Sequence, residues 1–187
     1  MEKHLNVREI TVEDVDLLAD YWFQSSSAYL RAMGADKDLL PSREDFCNSL
    51  LEQINHPYNK KKAYAIIWLK NDIPFGHCNT NKIVYEKEAY MHLHIWNNEN
   101  RQKGIGTHLV TRSLPYFFKN LKLKRLYCEP FALNHAPNNL LKRVGFNYLE
   151  EYITKPGNLN YVQPVKRWVL EYTAFLKKRI NKENDEK

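Results

Sequence analysis

The segment Arg101-Gln102-Lys103-Gly104-Ile105-Gly106 lies between a strand-like run, residues 89–97, and a helix-like run, residues 107–120. The first turn of a helix leaves backbone N–H groups without intrahelical partners, at the positive end of the helix dipole. Glycine adopts backbone conformations that other residues resist, and it lets a ligand approach the main chain closely. With the positive charges of Arg101 and Lys103 beside it, this turn predicts a phosphate-binding site.

Two common phosphate motifs do not fit this turn. The dinucleotide fingerprint G-x-G-x-x-G needs a third glycine at position 109, which is Leu109. The P-loop pattern needs a Gly-Lys-Ser/Thr sequence, which does not follow. The remaining pattern, R-x-x-G-x-G between a strand and a helix, resembles the acetyl-CoA pyrophosphate loop of the GNAT superfamily of N-acetyltransferases. Taken alone, the glycine pair is also compatible with an ordinary strand-to-helix turn.

Two further segments carry the same resemblance. Asn134 follows a strand-like run and precedes a short helix-like run that ends in Gly145-Phe146, a spacing similar to that of the family's second motif. Residues 5–14 resemble the family's first strand and the capped start of its first helix. The resemblance covers residues 5–173. It implies an α/β (α+β) fold with a mixed, mostly antiparallel sheet of about seven strands, flanked by about four helices and splayed between the fourth and fifth strands.

Hydrophobic periodicity and turn residues place the individual elements. The predicted strands are 5–10, 63–69, 75–84, 89–97, 123–128, 146–152 and 165–172. The predicted helices are 15–23, one that opens at 41–45 and ends at His56-Pro57, 107–120 and 138–144. Residues 25–41 read as an irregular connection, and Pro115 should bend its helix or split off the last turn.

The bulk composition indicates one globular domain over residues 1–175, followed by a charged tail, residues 176–187, that we expect to fray. Hydrophobic residues make up 43% of the chain, which argues against disorder. We find neither an apolar run of membrane-spanning length nor a secretory signal. The three cysteines are odd in number and widely spaced, which suits a reducing cytosol, so we expect a cytoplasmic protein.

The formal net charge of +6 has two explanations. The basic residues occur in short, scattered groups such as residues 60–62 and 177–179, which are typical of solvated faces. Coenzyme A is itself polyanionic, so some positive surface near its cleft is expected. Nucleic-acid binding is the less favoured explanation, because no known nucleic-acid module appears. The sequence leaves the oligomeric state open, and a homodimer is compatible with it.

The resemblance also implies a set of cofactor-binding residues. In the family, the backbone of the strand before the glycine turn holds the pantetheine arm, and the matching positions here are His94, Ile95 and Trp96. The turn itself would contact the pyrophosphate through Arg101, Gln102, Lys103, Gly104, Ile105, Gly106 and Thr107. The side-chain amide of Asn134 matches the family asparagine that bonds the pantetheine, and Asn138 is a second candidate.

The catalytic base is less clear, because Tyr90 and Met91 stand where the family often has a glutamate. His92 and His94 share one face of their strand, since side chains alternate with a period of two. A near-neutral imidazole can take a proton from an ammonium group, and His92 is the preferred base. Glu129 is the second candidate. A packed or solvated His92 is the alternative, and the His92-x-His94 pair lacks a nearby third ligand, so we expect no metal.

Both acid donors that the family commonly uses are absent here. The tyrosine position four residues before the Gly-Phe pair is Leu141, and the serine position after the asparagine is Pro137. Cys128, Tyr127, Tyr161 or water remain as proton donors to the departing thiolate.

The resemblance predicts an acetyl-CoA-dependent N-acetyltransferase that moves the acetyl group directly to a primary amine. Its layout is nearest to the branch of ribosomal-protein N-terminal acetyltransferases, so the acceptor is a protein N-terminus or a small molecule. A regulatory module that binds coenzyme A without turnover is the alternative, favoured by the loss of both acid donors. The acceptor pocket should involve the early helices and residues 155–165. The sequence of these segments does not indicate which chemical group the acceptor carries.

Overall fold

Alternating and continuous runs of apolar residues give the chain seven strands, which assemble into a single sheet. The computed structural model describes residues 4–96 and 104–185. Within these ranges the strands are β1 (Leu5–Glu9), β2 (Tyr64–Lys70), β3 (Ile73–Val84), β4 (Glu88–Ile95), β5 (Arg125–Cys128), β6 (Asn147–Thr154) and β7 (Gln163–Glu171). Their order across the sheet is β1-β2-β3-β4-β5-β7-β6.

Six α-helices occur in the described ranges. They are α1 (Val15–Gln24), α2 (Ser27–Ala32), α3 (Arg43–Asn55), α4 (Ile105–Asn120), α5 (His135–Val144) and α6 (Tyr172–Asp185). Side chains cap two of them, α2 and α3, and at the start of α3 Ser42 accepts the backbone N–H of Asp45. None of these helices combines the length and the hydropathy that crossing a membrane would require.

The sheet opens between its fourth and fifth strands. Neighbouring strands pair antiparallel, except that β4 and β5 pair parallel, with Glu88–Met91 opposite Arg125–Cys128. Beyond this pairing β4 continues to Ile95, whereas β5 stops at Cys128. A gap therefore opens along the last residues of β4. The mostly antiparallel sheet and its splay confirm the predicted fold class.

Helices cover both faces of the sheet. On one face, α4 and α5 pack over the main core, whose largest fully buried side chains include Trp68, Phe117 and Leu126. On the other face, Leu18 of α1 and Phe46 of α3 pack against Ile67 and neighbouring residues of β2. The candidate site lies on this second face.

Several predicted elements differ from the observed ones. The connection 25–41 contains the short helix α2, which begins where the Ser26 hydroxyl accepts the backbone N–H of Tyr29. The helix α4 runs unbroken through Pro115 from Ile105 to Asn120. The helix α5 begins at His135, earlier than the predicted residue 138.

The segment where the sequence predicted a charged tail is part of the helix α6. The helix α6 begins directly after β7, so the expected boundary between residues 175 and 176 falls inside it. Phe175 is buried and stacks on Phe118, with ring centroids 4.7 Å apart. The Lys178 ammonium donates to the carbonyl of Val144 at the end of α5, at 2.8 Å. These contacts hold the start of the segment, which contains neither glycine nor proline to stop a helix.

Candidate active site

A cleft of about 680 Å³ lies where the sheet opens. Its floor is the face of β3 and β4 that carries the side chains of His77, Asn79, Asn81, His92 and His94. Its walls come from the helices α1 and α3, the residues after β5 and residues 156–160. A concave site of this volume suits a small molecule or a cofactor arm.

The backbone of β4 determines what the gap can bind. The N–H of Trp96 donates to the carbonyl of Phe75 on β3, at 3.0 Å. In an antiparallel ladder the N–H and C=O of alternate residues point to the same neighbouring strand. The backbone of Trp96 and His94 is therefore turned towards β3, whereas that of Leu93 and Ile95 faces the gap.

The predicted pantetheine residues, His94, Ile95 and Trp96, differ in the direction of their backbone groups. Ile95 lies where a pantetheine arm would need it, although its carbonyl also accepts the Tyr29 hydroxyl at 3.2 Å. His94 pairs with His77 in the β3–β4 ladder, and the Trp96 N–H donates to the Phe75 carbonyl, so these groups are turned away from the gap. Leu93 was missed. Counting alternate residues from the end of the β4–β5 pairing is the signal that would have found it.

The glycine turn has the backbone conformation expected of a phosphate-binding loop, in the part that is described. Gly104 is the N-cap of α4 and has φ of 89°, in the left-handed region. No described side chain caps this N-terminus, so helix geometry leaves the N–H groups of residues 105–107 without intrahelical partners. A Cβ at Gly106 would come within 2.7 Å of the Leu140 side chain, so this glycine allows α4 and α5 to approach. Arg101, Gln102 and Lys103 lie outside the described residues.

The two candidate asparagines differ in their surroundings. Asn134 is the N-cap of α5, its side-chain amide does not cap the helix, and it lines the cleft. Asn138 is buried, and its amide donates to the carbonyls of Phe131 and Asn134 at 3.1 and 2.8 Å. Its oxygen accepts the indole N–H of Trp168 at 2.8 Å. Asn138 therefore positions Asn134 and the segment after β5, and Asn134 has the amide that a ligand can reach.

His92 lies at the point where β4 and β5 diverge. It follows Met91, the last β4 residue paired with β5, and its ring lines the cleft. Its Nε2 atom is enclosed and has no hydrogen-bond partner among the described residues. Burial, with a smaller contribution from the positive charge of Lys82, lowers the pKa of His92 to about 4. The imidazole is consequently neutral at physiological pH and has unused hydrogen-bonding capacity.

Two more histidines form a cluster beside it, and one of them was not anticipated. His77 on β3 faces His94 on β4, and their rings stack with centroids 4.6 Å apart. The Trp96 indole donates to Nδ1 of His77 at 2.8 Å, and the Tyr21 hydroxyl lies 3.2 Å from Nδ1 of His94. Burial lowers the pKa of His77 to about 3 and places that of His94 well below 6.5.

In residues 4–96 and 104–185, no group of three histidine, cysteine or acidic side chains is arranged to hold a metal ion.

Glu129 is buried across the gap from His92 and is held by two partners. Its Oε1 accepts from Nε of Arg167 at 2.7 Å and from the Tyr152 hydroxyl at 2.5 Å. Because the side chain is only 3% exposed, hydrogen bonds from Arg167 and Tyr152 replace those that water would make to the carboxylate. Its negative charge raises the pKa of His92, opposing the effect of burial. The sequence predicted Glu129 as a second base, but its geometry suits an electrostatic role better than proton abstraction.

Leu141 and Pro137 occupy the positions at which the family commonly has its acid donors. Leu141, on α5, is fully buried in the hydrophobic core, and Pro137 lines the cleft. Cys128 also lines the cleft, and burial raises the pKa of its thiol, which therefore stays protonated. Tyr127 stacks on Tyr90, with ring centroids 5.1 Å apart.

The fold is that of an acetyltransferase, and the similarity of the chain to known proteins supports this class. The sequence matches the family model "Acetyltransferase (GNAT) domain" over residues 4–147. The chain therefore belongs to the GNAT acetyltransferase family. No curated protein sequence matches it significantly.

Solved structures share its fold at low sequence identity. The ribosomal L7/L12 alpha-N-protein acetyltransferase RimL, in complex with coenzyme A, superposes with a TM-score of 0.72 and 16% identity, over 91% of this chain and 95% of that chain. The spermidine N-acetyltransferase of Vibrio cholerae, in complex with CoA and spermine, has a TM-score of 0.74 and 17% identity, over 92% of this chain and 98% of that chain. At these identities the similarity establishes the fold.

Proposed function

We propose that this chain is an acetyl-CoA-dependent N-acetyltransferase that transfers the acetyl group directly to a primary amine of a small molecule or a protein N-terminus. The observation that carries this proposal is the convergence of three features on one cleft. These are the outward-facing backbone of β4 in the gap, the side-chain amide of Asn134 and the neutral imidazole of His92. The three free cysteines support a cytoplasmic location, which we also propose.

The cofactor would lie along the gap in an extended form. Its pyrophosphate would accept hydrogen bonds from the N–H groups at the start of α4, where the left-handed Gly104 turns the chain. Its pantetheine amides would pair with the backbone of Leu93 and Ile95, as an added strand pairs with a sheet edge. The Asn134 amide would bond the arm from the opposite side. This arrangement brings the thioester to the floor of the cleft.

The chemistry then requires one proton acceptor and one proton donor. The amine nitrogen attacks the thioester carbon, forming a C–N bond, and collapse of the tetrahedral intermediate breaks the C–S bond. The proton lost by the nitrogen passes to the neutral imidazole of His92, directly or through water. The thiolate of coenzyme A leaves and takes a proton from water, because burial and the nearby Glu129 charge raise the pKa of the Cys128 thiol and make it a poor donor.

Glu129 has an electrostatic role in this proposal. The imidazolium that His92 becomes is unfavourable in a buried site, and a carboxylate across the gap stabilises it. Arg167 and Tyr152 hold the carboxylate in place. Replacing Glu129 with Gln preserves the shape and one acceptor oxygen, so it isolates the effect of the charge.

The experiment measures coenzyme A release from acetyl-CoA with a panel of primary amines and N-terminal peptides, alongside acetyl-CoA affinity by calorimetry. We expect His92→Ala to lower kcat at least about 100-fold, the usual contribution of a general base, without changing acetyl-CoA affinity. Glu129→Gln should lower kcat less and also leave affinity unchanged. His56→Ala, at the C-terminus of α3 and outside the cleft, is the matched control and should leave kcat unchanged.

The alternative is a module that binds coenzyme A without turnover. The observation in its favour is that Leu141 and Pro137 replace the family's usual acid donors. Acetyl-CoA binding without thiol release on any amine of the panel would support it and contradict the enzyme. Absence of acetyl-CoA binding would contradict both.

A further inference from the structure

The opening of the sheet takes away the neighbouring strand from the last residues of β4. Leu93 and Ile95 lie beyond Met91, the last β4 residue that pairs with β5. The N–H of Trp96 donates to the carbonyl of Phe75 on β3, so by alternation the carbonyl of Ile95 points into the gap. A backbone carbonyl that has lost its strand partner needs another hydrogen-bond donor.

The side chain of Tyr29, on α2, supplies this donor in the structure. Its hydroxyl donates to the Ile95 carbonyl oxygen at 3.2 Å. Its ring meets the Tyr21 ring edge to face, with centroids 6.4 Å apart. The hydroxyl of Tyr29 therefore takes the place of the strand that the gap lacks.

The position of α2 is set by contacts other than this hydrogen bond. At the start of the helix, the Ser26 hydroxyl accepts the backbone N–H of Tyr29 at 3.2 Å. Leu30 is fully buried and anchors the helix to the core. Beyond its end, the backbone N–H of Asp36 donates to the Leu159 carbonyl at 2.8 Å. We therefore expect α2 to keep its place when the Tyr29 hydroxyl is removed.

The cofactor, bound as described above, requires the same carbonyl. An extended pantetheine arm that pairs with β4 as an added strand lies about 4.8 Å from it and donates an amide N–H to an outward-facing carbonyl. Donors approach a carbonyl oxygen near its lone-pair directions, at about 2.9 Å. The Tyr29 hydroxyl, 3.2 Å from the Ile95 oxygen on the side of the gap, lies in the space that this amide needs.

We propose that Tyr29 is a placeholder for the pantetheine arm. Its hydroxyl bonds the Ile95 carbonyl in the free protein, and the arriving cofactor displaces it. This inference rests on the function proposed above and adds a residue that sets the affinity for the cofactor. The placeholder keeps the edge of β4 hydrogen-bonded between turnovers and reduces the free energy gained when coenzyme A binds. Because coenzyme A is also a product, Tyr29 favours its release.

The variant Tyr29→Phe removes the hydroxyl and retains the ring. The free protein then loses a hydrogen bond, whereas the cofactor complex, in which the hydroxyl is already displaced, loses none. We expect the affinity for coenzyme A to rise about fivefold, the effect of one hydrogen bond, as measured by calorimetry. A merely structural residue would not give this result, because its loss weakens binding or leaves it unchanged.

A second ligand and a second variant serve as controls. The nucleotide 3′-phospho-ADP contains the pyrophosphate of coenzyme A but no pantetheine arm, so Tyr29→Phe should leave its affinity unchanged. The hydroxyl of Tyr58 bonds the Glu9 carboxylate on the edge strand β1, at 2.9 Å. Tyr58→Phe should therefore leave the affinity for coenzyme A unchanged. The thermal unfolding midpoint of each variant verifies that it is folded.

The outcomes separate this inference from the function on which it rests. An unchanged affinity of Tyr29→Phe for coenzyme A would show that the Ile95 carbonyl accepts both donors at once, and a lower affinity would show that Tyr29 binds the cofactor. Either result contradicts the placeholder and leaves the N-acetyltransferase standing. An equal rise for 3′-phospho-ADP also contradicts it, because the effect would not come from the arm. If the unmodified protein does not bind coenzyme A, the proposed function is wrong, and the inference with it.

Discussion

At the scale of single residues, the site depends on buried polar groups whose partners are on other elements. His92 is the example on which the chemistry depends, because its neighbours keep its ring neutral at physiological pH. Its role as a candidate base could be predicted from its place on the strand. Its lowered pKa could not, because burial and the distance to Lys82 are set by tertiary packing.

The pH dependence of turnover tests the state of His92. Since its pKa is about 4, the neutral base is fully present across the neutral range and is lost only as the pH falls towards 4. The pH dependence of kcat/KM then comes only from the fraction of the acceptor amine that is neutral. For an alkylamine with a pKa of about 10, kcat/KM should rise tenfold per pH unit between pH 5.5 and 9. A pH–rate profile of kcat/KM checks this. A steeper dependence below pH 6.5 would mean that a histidine with an ordinary pKa is the base.

Asn138 provides a second test at this scale. Asn138→Ala removes three hydrogen bonds and leaves the Trp168 indole N–H without its partner, so we expect a loss of about 2–3 kcal/mol in the free energy of unfolding. Urea denaturation measures it. The neighbouring Asn139 is exposed, and Asn139→Ala should change stability by less than about 0.5 kcal/mol. Equal effects of the two variants would show that the buried amide contributes nothing.

At the scale of elements, the turn at the start of α4 is the feature that the sequence identified best. Glycine pairs between a strand and a helix are a local signal, and the observed left-handed Gly104 agrees with it. The direction of each backbone group on β4 is not a local property. It depends on where β5 stops pairing, so the sequence predicted His94, Ile95 and Trp96 and could not show that the backbone of Leu93 and Ile95 faces the gap.

The conformation of Gly104 leads to a prediction with an internal control. An alanine in the left-handed region costs about 1–2 kcal/mol, and at Gly104 the added Cβ meets no atom of the described residues within 4 Å, so we expect a conformational effect. We expect Gly104→Ala to weaken acetyl-CoA binding roughly tenfold by calorimetry. Gly145, at the end of α5, is equally left-handed with φ of 105°.

The control variant Gly145→Ala should reduce stability by a similar amount and leave acetyl-CoA affinity unchanged. Loss of affinity in both variants would attribute the effect to general destabilisation and contradict a specific role for the turn.

At the scale of the whole molecule, the pattern of strands and helices was predictable because each carries its own periodicity. The helix α2, the helical tail and the histidine cluster were not, because they depend on packing between distant segments. His77 and His94, for example, meet only through the register of β3 with β4. No local sequence signal encodes that register.

The buried histidines make the stability of the fold depend on pH. The pKa of His77 is about 3 in the folded protein and near 6.5 in the unfolded chain, so the unfolded state binds a proton more readily between these values. Its stabilisation is present above pH 6.5 and is lost as the pH falls, by about 2 kcal/mol at pH 5. Urea denaturation at pH 7 and pH 5 measures the difference.

His77→Asn is the matched variant, because the asparagine oxygen can still accept the Trp96 indole N–H. It should reduce the loss of stability between pH 7 and pH 5. An unchanged pH dependence would show that His77 is not the titrating group.

The central claim is that coenzyme A binds in the gap between β4 and β5. A crystal structure of the protein with coenzyme A tests it most directly. We expect the pyrophosphate at the N-terminus of α4, the pantetheine amides on the backbone of Leu93 and Ile95, and the thiol within reach of His92. Coenzyme A bound elsewhere, with this gap left open, would contradict the account.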